Sequence, residues 1–283
     1  MIRHPFALTL AALCAAAPAV PAAAQTADSP NLVLTIFGGY RMGKQLWTLH
    51  SQPFVVIDYV PPATLDSIST QHDTFDLSRE VTPSFILGLT ASYYRGKHLG
   101  FQAEMVFLGM SLDSRCAIRR FDASDSTDIN PALCATLNGA SVPMSAVQFS
   151  VGATLRATPN KSATPYLGLS GGLVTRARGT AEMVGAFVDQ GGNINPFVVV
   201  ADDKATRSDL SAQLTGGLMV PLGPGYQLRL EGRDVYTRLD YVSGLADPTE
   251  VPLHPPHAAR YSHHLAFVVG LDVVLERKRG RRY

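Results

Sequence analysis

Eight stretches of alternating hydrophobicity, joined in turn by long polar segments and by tight turns, constrain this chain more than any other feature. They cover residues 32–41, 82–94, 99–112, 142–157, 165–178, 208–222, 226–242 and a last stretch from Tyr261. In the last, one face carries Tyr261, His263, Leu265, Phe267, Val269, Leu271, Val273 and Leu275; the other carries Ser262, His264, Ala266, Val268, Gly270, Asp272, Val274 and Glu276. Period two with the bulky residues on one side is the pattern of a strand between an apolar medium and a narrow interior. Each stretch supplies the roughly 9–11 residues that a tilted strand needs to cross a bilayer.

The connections alternate in length. Residues 95–98, 158–164 and 223–225 are of hairpin length and carry Gly, Pro and Asn, which supply the backbone angles of tight turns. Residues 42–81, 113–141, 179–207 and 243–260 run from 18 to 40 residues and are rich in Asp, Ser, Thr, Asn and Pro. Loops so long are uncommon in compact soluble domains, whereas short inner turns and long outer loops characterise membrane barrels. The expected fold is all-β: an eight-stranded antiparallel transmembrane β-barrel with four long outer loops and three short periplasmic turns. A soluble secreted barrel is the structural rival. Aromatics near strand ends, Tyr93, Tyr94, Phe101, Tyr226, Tyr241 and Tyr261, suit interfacial girdles.

Residues 1–24 read as a signal peptide: Arg3 and His4 precede an apolar run, and Ala22-Ala23-Ala24 offers a cleavage site before Gln25. The barrel domain is then 25–283, ending in a basic periplasmic tail over 277–283. Loss of Arg3 with the signal leaves 23 basic residues against 23 acidic ones, a balance that argues against a nucleic-acid binder. Beyond the signal no run of 18 apolar residues occurs, so a membrane crossing must be made by a closed barrel. The two mature cysteines, Cys116 and Cys134, share one polar segment. An even pair in an exported chain reads as a disulfide closing the second outer loop.

One irregularity stands out in the seventh stretch. Leu228, Leu230 and Gly232 alternate with Arg229, Glu231 and Arg233, but beyond Asp234 the apolar residues Val235, Leu239 and Tyr241 fall one step out of phase. A bulge at Arg233-Asp234 would restore the alternation; alternatively the strand has by then left the membrane.

The export signal, the eight strands, and segments such as Pro165-Tyr166-Leu167-Gly168-Leu169-Ser170-Gly171-Gly172 and Leu228-Arg229-Leu230-Glu231 resemble the small OmpA/OmpX-type outer-membrane barrels, known as the outer membrane protein beta-barrel domain. The resemblance spans the mature chain and implies a bacterial outer-membrane location, lipid contact and use of the barrel-assembly machinery. It also implies an assembly signal at Gly270, Val273 and Leu275. The chain departs from the pattern in lacking a terminal aromatic on that strand and in continuing through Tyr283.

Candidate chemistry is sparse. Gly168-x-Ser170-x-Gly172 matches a nucleophile elbow in letters, but that motif needs a strand turning into a helix, and here the strand pattern continues. His254, His257, His263 and His264, with Asp247 and Glu250, are the densest set of metal-ligand types. In a polyproline stretch His254 and His257 stand about 9 Å apart, too far for one ion, so no metal or other cofactor is expected. Ser262 and His264 share the inward face near the outer rim, but Asp272 lies about 26 Å down the strand. Glu104, Arg229, Glu231, Arg233 and Asp272 fall on the lumen face, where eight strands leave room only for side chains. Such charges are expected to pair in a buried network, and loss of Glu231 to strand a positive partner. The expected role is non-enzymatic, structural or surface-interacting, as a monomer whose loops meet an external ligand. A narrow channel for small solutes and a rim-located hydrolase are the alternatives.

Overall fold

The computed structural model describes residues 31–55, 72–120, 129–157, 163–177, 180–189, 191–202 and 208–276. The signal segment 1–24 and the tail 277–283 lie outside them. Twelve strands and one helix are present in this part: β1 (Asn31–Arg41), β2 (Lys44–Val55), β3 (His72–Val81), β4 (Ser84–Tyr94), β5 (Leu99–Arg120), α1 (Asn130–Leu137), β6 (Ser141–Arg156), β7 (Thr164–Arg176), β8 (Met183–Val188), β9 (Ile194–Val200), β10 (Ser208–Gly223), β11 (Tyr226–Val242) and β12 (His257–Glu276).

Eight of the strands form a ring. Antiparallel pairings run from β1 to β4, β5, β6, β7, β10, β11 and β12, and β12 pairs back onto β1. These eight are the stretches read from the sequence. Connections of hairpin length separate β4 from β5, β6 from β7 and β10 from β11. At the last, Pro224 fixes the entry and Gly225 takes a φ of +79°, a backbone state that other residues adopt at a cost.

Along every ring strand the two faces differ. One outward residue from each, Ile36, Phe85, Phe107, Val151, Leu169, Leu214, Leu230 and Phe267, is between 40% and 77% exposed. Together with their neighbours they form an apolar belt around the ring, far larger than the patches that soluble monomers leave bare. A ring whose strand edges are all paired and whose outside is apolar suits a bilayer, where unpaired backbone groups are costly. Among the described residues no helix is long and apolar enough to cross a membrane; the crossing is made by strands. Tyr93, Phe101, Tyr226 and Tyr261 face outward at strand ends, whereas Tyr94 turns inward and is buried.

The long outer connections are more ordered than loops. At about 3.3 Å per residue, the 22 residues of β5 reach about 70 Å, more than twice the ~30 Å hydrocarbon core, so β5 continues beyond it. Its lower half pairs with β4; its upper half, from Leu112 to Arg120, pairs with β3, and β3 with β2. The β8–β9 hairpin and α1 complete a folded cap. Trp47, Phe54, Phe75, Leu77, Leu133, Leu137, Met183, Val199 and Leu253 form its apolar core. Cys116 of β5 and Cys134 of α1 are joined by a disulfide with Cα atoms 5.2 Å apart. Beside it, Asn138 receives the Cys116 N–H and donates to the Cys116 carbonyl, both at 2.8 Å.

The seventh ring strand has no bulge at Arg233-Asp234. β11 keeps an unbroken register with β10 from Leu228 to Thr237 and with β12 from Tyr226 to Val242. The phase of the strand is constant; the lumen changes. Arg229, Glu231 and Arg233 meet polar partners inside, while Val235, Thr237 and Leu239 face an apolar upper chamber. Asp234 therefore points outward, where His263 lies 3.1 Å away.

Candidate functional site in the lumen

The lower half of the lumen is filled by charge. Thr35 of β1, Thr90 of β4, Glu104 of β5, Tyr166 of β7, Gln213 of β10, Arg229, Glu231 and Arg233 of β11 and Asp272 of β12 all point inward because they fall on the buried parity of their strands. Arg229 donates through Nε to Asp272 Oδ1 at 2.9 Å, through Nη2 to Asp272 Oδ2 at 3.2 Å and through Nη1 to Glu231 Oε1 at 3.2 Å. Arg233 donates through Nε to Glu231 at 2.6 Å and lies 3.0 Å from Glu104 through Nη2. Two guanidiniums thus link three carboxylates across the bore.

Neutral donors complete the network. The Tyr166 hydroxyl donates to Glu231 at 2.5 Å, Thr35 to Asp272 at 2.7 Å, Thr90 to Glu104 at 3.0 Å and the Gln213 amide to Glu104 at 3.3 Å. Every carboxylate therefore has an uncharged donor beside its arginine, which is how a buried ion cluster becomes tolerable. The Arg233 guanidinium lies 4.2 Å from the centroid of the Phe37 ring, and Arg156 stacks 3.3 Å over Tyr94 nearer the inner end. The five sequence-selected residues come together. Tyr166, Thr35, Thr90 and Gln213 were not singled out, although each stands at an inward position of its alternating strand.

Above this network the lumen becomes apolar. Phe37, Ile86, Val106, Leu108, Met110, Met144, Val174, Ala266 and Val268 cluster inside the ring, and most of them line a chamber of about 30 Å³. Arg176 pairs with Asp209 at its edge. His264 and Arg41 line it as well, 2% and 7% exposed.

The remaining candidates are dispersed. Ser170 lies within the unbroken strand β7, facing inward, so Gly168-x-Ser170-x-Gly172 forms no elbow. His263 faces out and His264 in, His257 opens β12 and His254 precedes it. Among the described residues no group of three or more His, Cys, Asp or Glu is arranged to hold a metal ion. Asp272, the carboxylate nearest in sequence to Ser262 and His264 on that face, is engaged by Arg229 and Thr35. Gly270 faces inward, with Val273 and Leu275 further down β12. A Cβ at Gly270 would stand 3.0 Å from Phe37 Cβ, so its smallness gives Phe37 room across the β1–β12 pair.

No family model matches the chain, and no curated protein does. Solved structures with a similar fold include Neisserial surface protein A (11% identity, 87% of this chain and 99% of that one, TM-score 0.40) and the outer membrane protein OprG from Pseudomonas aeruginosa (10% identity, 89% and 98%, TM-score 0.42). A third is the outer membrane protease OmpT from Escherichia coli (10% identity, 88% and 98%, TM-score 0.33). By its ring of strands and its apolar belt the chain is a transmembrane β-barrel, similar in fold to small barrels of the bacterial outer membrane.

Proposed function

We propose that this protein is a non-enzymatic outer-membrane barrel that presents a folded cap to the cell exterior and conducts little or nothing through its lumen. The buried network of Arg229, Arg233, Glu104, Glu231 and Asp272 carries this reading, because it spans the bore of a ring in which eight strands leave space only for side chains. The cap supports the second half of it. An apolar core and a disulfide maintain a defined outer surface, which an outer loop serving only as a connection does not require. In this reading the protein acts as a monomer, reaches the membrane through the barrel-assembly machinery, and meets an external ligand with its cap. The non-enzymatic part is favoured by the engagement of Asp272 with Arg229 and by the lack, among the described residues, of a carboxylate bonded to His264.

Antibodies against the cap should stain intact cells, and deletion of the gene should alter a surface-dependent property such as adhesion or serum sensitivity. Small-solute uptake should stay unchanged. Loss of uptake with unaltered surface behaviour would favour the channel instead.

A further inference from the structure

We infer that the outer wall of the barrel carries a site for a lipid with an anionic phosphate headgroup, drawn from the cap-side leaflet. Its acyl chains lie in a trough across β1, β12 and β11, and its phosphate meets Lys44 and Arg238. The site is on the lipid face, apart from the ion network in the lumen and from whatever the cap recognises.

The trough is a break in the apolar belt. Most outward positions of the ring are bulky and apolar, but Gly38 of β1 and Gly232 of β11, on either side of β12, carry no side chain. Tyr40, Phe85, Leu230 and Phe267 wall the open depression that results, of about 1010 Å³. At roughly 30 Å³ for a group of water's size, it takes hydrocarbon chains of a dozen carbons or more. The fold does not require glycine at 232: a Cβ there would have the Gly216 carbonyl oxygen as its nearest neighbour, at 3.9 Å, which is ordinary contact. The space opens into the hydrocarbon of the bilayer, and an acyl chain lying in it gives the walls the contacts that they otherwise lack.

Charge sets the headgroup end. From the trough toward the cap, the outward positions are Leu265, His263 and Tyr261 on β12 and Asp234, Tyr236 and Arg238 on β11. Lys44, at the start of β2, donates to the His263 carbonyl at 3.3 Å, and Arg238 stands opposite Tyr261 on the other edge of β12. Two exposed cations thus flank one strand, about 10 Å apart across the sheet at two strand spacings. Arg238 stands about 20 Å along β11 from Gly232, close to half the thickness of a bilayer with its headgroups, so a chain whose phosphate lies at Arg238 reaches the trough. Asp234 is the one acid among these positions, and His263 Nδ1 engages it at 3.1 Å. On β6, β7 and β10 the border of the belt is neutral, at Ser145, Thr175 and Ser208. The charge that complements a phosphate therefore sits over the trough. Basic side chains at a membrane surface attract anionic lipid, and Tyr236 and Tyr261 beside them suit the interface.

Native mass spectrometry of the purified full-length barrel, released from detergent after titration with dimyristoyl phosphatidic acid, tests the site. Dimyristoyl phosphatidylcholine supplies the same chains with the phosphate covered by a cation, and inorganic phosphate the anion without the chains. One phosphatidic acid per barrel should bind at least about tenfold more tightly than either control. Lys44→Gln with Arg238→Gln should reduce it to the level of phosphatidylcholine, and Gly232→Leu should weaken it at least about threefold by filling the trough. Arg115→Gln, which removes an exposed cap-side cation of β5, should leave it unchanged. All of these alter exposed positions and should leave the barrel's heat-modifiable migration as it is. Equal binding of either control would overturn the inference. So would an equal loss in Arg115→Gln, unchanged binding in either site variant, or a lipid-free dimer in which a second copy covers the trough.

Discussion

Removing an arginine from the lumen network should be far more damaging than neutralising the glutamate that connects its two halves. Glu231 accepts from Arg229, Arg233 and Tyr166, and by the sequence its loss should strand a positive partner. In the structure each guanidinium keeps another carboxylate: Arg229 retains Asp272, and Arg233 retains Glu104. Glu231→Gln also preserves an acceptor oxygen, so the loss is that of charge-assisted hydrogen bonds, about 1–2 kcal/mol. Arg229→Met is different. It takes both guanidinium bonds from Asp272, leaving that carboxylate with Thr35, and it takes one bond from Glu231. Breaking a buried pair in this way costs about 3–5 kcal/mol. The difference, about 2 kcal/mol or more, is roughly thirtyfold in the unfolding equilibrium. Urea unfolding in detergent, followed by far-ultraviolet circular dichroism and by heat-modifiable gel migration, reads the barrel directly. Trp47, the sole tryptophan, sits in the cap core and reports on the cap instead. A loss below about 1 kcal/mol for Arg229→Met, or a larger loss for Glu231→Gln, would refute the pairing scheme.

On the lipid face, Val269→Arg should cost about 2–4 kcal/mol if the residue lies near the bilayer midplane, with Val269→Leu as a neutral control; equal tolerance of both would show the face to be wrong. Replacing Cys116 and Cys134 with Ser should destabilise the cap by about 3 kcal/mol for a loop of this length. Trp47 fluorescence should shift at lower urea while the barrel's gel migration is preserved, and coincident loss of both would contradict a separately stabilised cap. In the cap, Asp76 accepts the Ser51 N–H at 2.9 Å and binds Arg119 at 2.5 Å, and these donors, led by the Ser51 amide, hold its carboxyl below the usual carboxylate range. Its contribution is therefore complete above the unfolded-state pKa and is lost as pH falls through the lower folded-state value. Protease sensitivity of the β2–β3 segment should rise in acid, and Asp76→Asn should be sensitive already at pH 7; an acid response unchanged in Asp76→Asn would remove Asp76 as its cause.

The ring was legible in the sequence because lipid and lumen impose opposite demands on successive residues. Leu265, Phe267 and Val269 alternate with Ala266, Val268 and Gly270 for that reason. The inward parity also brought out Arg229, Glu231, Arg233, Glu104 and Asp272, since charges on the narrow face of a strand have only one another to meet. The order in the long outer segments was not legible. β2 and β3 are stabilised by pairing with the extended part of β5 and by the cap core, partners distant in sequence that periodicity within a segment does not record. The apparent phase change after Asp234 had a similar origin. Alternation reports which face is apolar, and it inverts in meaning where the inside of the barrel itself turns from polar to apolar.

The most direct measurement is the conductance of the purified wild-type monomer in a planar lipid bilayer. With Arg229 and Arg233 linking carboxylates from three strands across the lumen, the barrel should insert and remain closed, or show only small and rare openings. A large, steady conductance from the monomer would contradict the filled lumen and place a solute pathway through it.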